Sequence, residues 1–388
     1  MRSINSSLLI LCISAFFAML GVGIVGPILP LYAEHFGVSY SLVGVVVSSF
    51  GLARLFTDLP AGSLADIRSR KTLMLVGLAI LAAAALMAAF AGNIYYLILA
   101  RFVQGVGSAL FTTAAMTLLV DITPISQLGR YMSYYQGSFF LGTAVGPSIG
   151  GFLAVWGLQA PFFALAFLSL VAAVFVHIKV AEIPKRERQP KSGFPEFRRL
   201  LREALGNREV WIVGFTAVVL FILNSGVRMT AIPLYGEQVV KLSTAEIGVI
   251  LSLAAFSSLI ALVWSGSMID KGGAKPLLVA GFLMAAASSY AFILSGDFFA
   301  MSVVAVVLGI ATGMVNPVQA SAVVKGAEPK HEGFYIGFYR IFCDIGIILG
   351  PVIIGALTDY QGFHAPFLAV SILCILASVI AYMALEKR

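Results

Sequence analysis

Twelve apolar runs, each long enough to cross a bilayer, constrain this chain more than any other feature. They fall at roughly 7–33, 41–63, 71–92, 94–120, 131–155, 160–179, 209–235, 243–266, 275–295, 298–323, 333–357 and 363–385. A helical span needs about 20 mostly apolar residues. In lipid the backbone must satisfy its own polar groups, which only helices and closed barrels achieve. Alternation of period two, the mark of a barrel strand, is missing. The chain is therefore expected to be an all-α membrane protein with twelve transmembrane helices. Its 60% hydrophobic residues, 11% charge and mean hydropathy of +0.98 exclude an ordinary soluble domain.

The runs form two sets of six. Between the second and third lies a short polar turn, Gly62-Ser63-Leu64-Ala65-Asp66-Ile67-Arg68-Ser69-Arg70-Lys71. Its Gly62, Ser63, Asp66 and Lys71 return 204 positions later as Gly266, Ser267, Asp270 and Lys275. The same shift carries Gly105 to Gly309, and Gly142, Gly146, Pro147 and Gly151 to Gly346, Gly350, Pro351 and Gly355. At a shift of 203, Pro30-Leu31-Tyr32 and Glu34 become Pro233-Leu234-Tyr235 and Glu237. Residues 1–180 and 209–388 are thus expected to be two pseudo-symmetric six-helix bundles, joined by a polar linker over 181–208. Within that linker, Phe194 to Leu201 fits either an amphipathic helix on the membrane surface or a solvated connection.

Basic residues fix the orientation. With the N-terminus inside, the inner face takes Arg2, Arg68, Arg70, Lys71, Arg130, the bases from Lys179 to Arg208, Lys271, Lys275, Lys325, Lys330, Lys387 and Arg388, whereas the outer loops take only Lys241. By the positive-inside rule the protein is multi-pass in a cell membrane (the inner membrane where there are two), with both termini cytoplasmic. The net charge of +7 then reports topology and not a nucleic-acid partner. The first run extends through Pro27 and Pro30 and has its match in the second half, so it is read as a helix and not as a cleaved signal.

Enzyme chemistry finds no support. His35, His177, His331 and His364 are scattered at helix ends and in loops. No phosphate-binding P-loop and no metal-ligand spacing occurs. Cys12, Cys343 and Cys374 lie inside apolar runs, where a disulfide is not expected. No cofactor is expected, and the protein is read as a monomer.

Two six-helix halves with a Gly-x-x-x-Asp-x-x-x-Arg-Lys turn after the second helix resemble the major facilitator superfamily, over essentially the whole chain. Arg101-Phe102-Val103-Gln104-Gly105 resembles that family's Arg-x-x-Gln-Gly motif. Gly142-Thr143-Ala144-Val145-Gly146-Pro147-Ser148-Ile149-Gly150-Gly151 resembles the Gly-x-x-x-Gly-Pro-x-x-Gly-Gly signature associated with its exporters, and the whole resembles the twelve-helix drug/proton antiporter branch. The resemblance implies a transporter that works by alternating access, its halves rocking about a site near the midplane. It further implies a cytoplasmic gate in which Asp66, at a helix end beside Gly62, pairs with the other half, while Arg70 and Lys71 extend the network. Asp270 marks a weaker second copy. Ser69 stands where the family usually has Gly, so an altered turn is expected. Gly142, Gly146, Pro147, Gly151, Gly346, Gly350, Pro351 and Gly355 are expected to bend helices and form the moving interface, because small residues let helices approach closely in lipid and Pro removes a backbone donor.

Charges inside the spans fall where the repeat breaks. Arg54 and Asp58 align with Ser258 and Leu262, Arg101 with Ala305, and Arg340 and Asp344 with Gln136 and Phe140. A charge in the membrane is costly and marks function by default. Arg54/Asp58 and Arg340/Asp344 are spaced i,i+4, so an intrahelical ion pair and a proton-coupling site both fit each pair. The resemblance links Arg101 to proton coupling. It also makes the first, fourth, seventh and tenth spans line a cavity, with Phe16, Phe17, Met19, Gln104, Phe111, Thr112, Met116, Asn224, Arg228, Asn316 and Gln319 as lining candidates, and Gln136 beside them. The expected function is proton-coupled export of lipophilic small molecules, with the substrate, protons and the bilayer as partners. An anionic-metabolite or lysolipid carrier, an uncoupled facilitator and a membrane sensor without turnover remain alternatives. The resemblance implies that cation exporters place an acid in the first span, which here has none before Glu34; with Arg101, Arg228 and Arg340 present, a neutral or anionic amphiphile fits at least as well as a cation.

Overall fold

A computed structural model describes residues 2–124, 127–180, 194–269, 274–324 and 332–384. The first half contains α1 (Arg2–Val25), α2 (Ile28–Glu34), α3 (Tyr40–Ile67), α4 (Arg70–Ala89), α5 (Ile94–Ile122), α6 (Leu128–Leu153) and α7 (Ala160–Lys179). After α8 (Phe194–Gly206) come α9 (Arg208–Ile222), α10 (Ile232–Gln238), α11 (Thr244–Ile269), α12 (Ala274–Ile293), α13 (Phe298–Val324), α14 (Glu332–Gln361) and α15 (His364–Ala384). Among the described residues, twelve helical stretches are long and apolar enough to span a membrane. The first is broken at Gly26 and Pro27, between α1 and α2. The seventh is continuous but changes winding, with a π-helix over Leu223–Ala231 between α9 and α10.

The repeat extends from residue type to contact. Gly105 presses against Phe50 and Ala53, and its counterpart Gly309 against Ala254 and Ser257, each 204 positions on. Gly77 meets Gly107 and Phe111, as Gly281 meets Ala311 and Val315. Tyr32 donates to the Ala88 carbonyl at 3.2 Å and packs on Phe162; Tyr235 donates to the Ile293 carbonyl at 3.4 Å and packs on Phe367. Helix starts repeat as well. Asn93 caps α5 through Tyr96 N–H, and Asp297 accepts from Ala300 N–H at the start of α13. Ser39 caps α3, while Ser243 and Glu246 form a reciprocal capping box on α11. Left-handed backbone recurs at Gly37 (φ 67°) and Lys241 (φ 63°). A lysine there bears a steric cost that glycine avoids.

The polar turn is tighter than its sequence suggests. Gly62, Ser63 and Asp66 belong to the last turns of α3, which leaves only Arg68 and Ser69 outside helix. Ser69 has φ −61° and caps α4 by accepting from Thr72 N–H at 3.4 Å. Left-handed backbone is not required at that position, so glycine is dispensable there.

The described chain divides into two compact units, Met1–Arg186 with Gly236–Ser252, and Glu187–Tyr235 with Leu253–Arg388. The segment 236–252 therefore groups with the first half of the sequence and not the second. In the first unit, the Gln238 amide donates to both Glu34 oxygens at 3.1 Å, and Thr244 donates to the Gly151 carbonyl at 3.0 Å. Gly248 packs on Pro147 and Gly151.

The small-residue set expected at a moving interface splits by neighbour. Gly142 and Gly146 press on α1, at Phe16, Met19, Leu20, Gly23 and Ile24. Gly346 and Gly350 press on α9 and the π segment, at Val218, Phe221, Ile222, Ser225 and Gly226. These four therefore serve helix packing within a unit, whereas Gly151 faces α11. Gly355 is buried, and α6 and α14 continue as helix through Pro147 and Pro351. A Cβ at Gly146 would lie 2.6 Å from the Gly23 Cα, a backbone atom with no room to yield. Gly146→Leu is expected to lower the unfolding midpoint in detergent, with a cost of at least about 1–3 kcal/mol. Gly62→Ala, within α3 and with open space for an added Cβ, is expected to hold or slightly raise the midpoint, by up to about 1 kcal/mol.

Candidate functional site

In the first unit, the close approach of α3 and α5 at Gly105 sets up a polar contact one turn further along. Arg54 donates to Ser108 Oγ at 2.9 Å and Thr112 Oγ1 at 3.4 Å, and pairs with Asp58 at 3.5 Å. The repeat-equivalent positions, Ser258 and Thr312, share a neutral hydrogen bond of 3.4 Å. One helix crossing is thus charged in the first half and uncharged in the second. Tyr135, from α6, is buried within electrostatic reach of Arg54 and Cys12, and its hydroxyl has no hydrogen-bond partner among the described residues.

Arg101 stands apart from this cluster, about 10 Å along α5 from Ser108. It is 7% exposed, donates to Gln104 Oε1 at 2.6 Å and lies 4.7 Å over the Phe50 ring. Its Nε and the Gln104 Nε2 are buried donors without a partner. Among the described residues no carboxylate pairs with Arg101.

In the second unit, Asp344 stands 12 residues into the 30-residue α14, near its middle. Its side chain is partly accessible, and Arg340, one turn earlier, is exposed. Beside them Tyr339 donates to Gln319 Oε1 at 3.4 Å, and Gln319 is 1% exposed with its Nε2 unpartnered. The π segment carries Asn224, whose amide donates to the Leu220 carbonyl at 3.2 Å, and Arg228, whose Nε is buried without a partner. Thr230 donates to the Ser225 carbonyl five residues back. Short π segments inside α-helices are frequent at functional sites.

The expected cavity residues differ in burial. Phe111 (0% exposed) and Met19 (3%) belong to the packed core of the first unit with Leu78, Ala115 and Tyr135. Phe17 stacks on Phe175 of α7, and Met116 packs on the same core. Gln104 is fully buried as the partner of Arg101, and Thr112 is bound to Arg54 and the Ser108 carbonyl. Phe16, Phe17, Met116, Gln136, Asn224, Arg228 and Asn316 keep partial accessibility.

The gate residues are described in part. Among the described residues Arg70 is buried and paired at 3.1 Å with Asp121, at the end of α5 in the same unit. Lys71 is partly accessible. Asp270 and the Asp66 side chain lie outside the described residues. Sequence reasoning missed Asp121, although an acid ending a long apolar run at the basic end of the spans was a readable signal. It also missed Ser108, Tyr135 and Tyr339, which look like ordinary span residues.

The model of the Major Facilitator Superfamily matches residues 11–271 and 215–388. The chain belongs to this superfamily. A relative from Methanocaldococcus jannaschii, described as an uncharacterised transporter of the same type, is 25% identical over all of both chains. Multidrug resistance protein 2 of Bacillus subtilis is 24% identical, over 100% of this chain and 98% of its own. The fold is similar to the crystal structure of a bacterial homologue of the human lysosomal transporter Spinster, with a TM-score of 0.81 at 15% identity, covering 98% and 97% of the two chains. This superfamily member is a multi-pass membrane transporter of small molecules and not an enzyme.

Proposed function

We propose that the protein exports lipophilic small molecules by alternating access, driven by protons, with both termini in the cytoplasm. The observation that carries this reading is Asp344, a partly accessible carboxylate held mid-span one turn from Arg340. A carboxyl there gains and loses charge as hydration and the position of Arg340 change, which is what coupling requires. The full-length similarity to a multidrug resistance protein supports the export direction and the substrate class. In the first unit, the Arg54–Asp58 pair is fastened to α5 by Ser108 and Thr112, which favours a structural role for it over coupling. One observation favours a second reading. Among the described residues neither Arg101 nor Arg228 has a carboxylate partner, so a substrate bearing an anionic group would find a complementary charge.

Proteoliposomes offered cationic, neutral and anionic lipophilic dyes under an imposed pH gradient distinguish these readings. Accumulation of a dye against its gradient, collapsed by a protonophore, is the expected result. Dye movement unaffected by the protonophore would contradict proton drive, and accumulation of anionic dyes alone would establish the second reading.

A further inference from the structure

The α8 helix is one residue removed from the membrane. It ends at Gly206 and the seventh span opens at Arg208, with only Asn207 between them. Asn207 caps the span by accepting from Glu209 N–H at 2.9 Å. The Trp211 indole N–H, one turn inside the span, donates back to the Leu205 carbonyl at 2.8 Å. These bonds fix α8 at the edge of the bilayer, and its 13 residues reach about 20 Å along it.

Its two faces differ in chemistry. Leu200 (4% exposed) and Ala204 (0%) are packed inward. Arg198, Arg199, Arg202 and Glu203 are exposed, as is Leu205 at 47%. Arg198, Arg202 and Leu205 are spaced i, i+4, i+7 and share one stripe, while Arg199 is partly offset by Glu203 at 3.6 Å. Trp211, 48% exposed, adds an amphipathic ring of the kind favoured at the lipid headgroup level. The surrounding sequence from Lys179 to Arg208 holds nine bases and four acids. A basic stripe at a span end, with an apolar residue at its foot, is complementary to anionic headgroups.

We propose that α8 is a docking surface for anionic lipid, with Arg198 and Arg202 binding the headgroup phosphates while Leu205 and Trp211 sit in the interface. The orientation rests on the cytoplasmic placement proposed above, but the lipid contact does not depend on transport.

The test uses the full chain carrying Trp156→Phe and Trp264→Phe, so that Trp211 is the sole tryptophan. It is reconstituted in phosphatidylcholine with a varied fraction of brominated phosphatidylglycerol or brominated phosphatidylcholine. Trp211 is expected to be quenched preferentially by the anionic lipid. The preference should reach about fivefold for each arginine engaged, and should fall in 0.5 M salt by roughly the degree that screening implies. R198Q/R202Q should abolish the preference, whereas R198K/R202K should keep it, which separates lost charge from a lost helix. Equal quenching by both lipids in the parent chain would overturn the proposal. So would weak quenching by either lipid together with capture of a soluble acidic protein, which would assign the stripe to a protein partner.

Discussion

Arg70→Ala is expected to destabilise the protein by about 3–5 kcal/mol, a large share of the stability of any fold. Arg70 and Asp121 pair at 3.1 Å with side chains only 7% and 8% exposed. Removing the guanidinium takes away the charged partner that Asp121 has at 3.1 Å in a largely buried site. Part of the burial cost of Asp121 then appears, beyond the modest net worth of the pair. Asp121→Ala should be comparably damaging, because Arg70 already has one buried nitrogen, Nη1, without a hydrogen bond. Replacing both residues with Leu should recover most of the loss, since apolar replacement of a buried pair is often neutral or better. The measurement is a double-mutant cycle on thermal unfolding in detergent. Single-variant losses below about 1 kcal/mol, the range of exposed pairs, would show that the pair is hydrated and marginal.

Much of the fold was legible because bilayer spans obey a coarse rule that composition satisfies. The twelve runs and the 204-residue repeat required only apolar length and residue identity. The repeat proved deeper than residue identity could show: the glycine contacts at Gly105 and Gly309 use equivalent partners whose types differ, Ala53 against Ser257. The π segment was not legible, since winding by five instead of four leaves no hydrophobic period within nine residues. Its only trace was the polar Asn224-Ser225-Gly226 within an apolar run. Cavity residues fared worst for a physical reason. An aromatic such as Phe111 reads the same whether it fills a core or lines a cavity, and here Gly77 draws α5 against α4 until that ring is sealed. The i,i+4 ion pair of Arg54 and Asp58 followed from spacing alone. Its fastening by Ser108 did not, because that contact depends on how α3 crosses α5.

Asp344→Asn is expected to produce the largest change in function. The amide keeps the size of the side chain and resembles the protonated acid, but cannot exchange a proton. If Asp344 couples, substrate-dependent proton flux should fall by roughly tenfold or more, the scale set by losing a group whose charge change drives the cycle. Substrate exchange, which needs only the alternating motion, should persist. If Asp344 were merely the fixed partner of Arg340, exchange and proton flux would change together, or not at all.

The deciding experiment places a pH-sensitive dye inside proteoliposomes and imposes a substrate gradient on the wild type and on Asp344→Asn. The account predicts substrate-driven proton movement in the wild type, and its loss in the variant while labelled substrate still exchanges. Equal proton flux in both would contradict the assignment of Asp344, and transport by the wild type without any proton movement would contradict proton coupling itself.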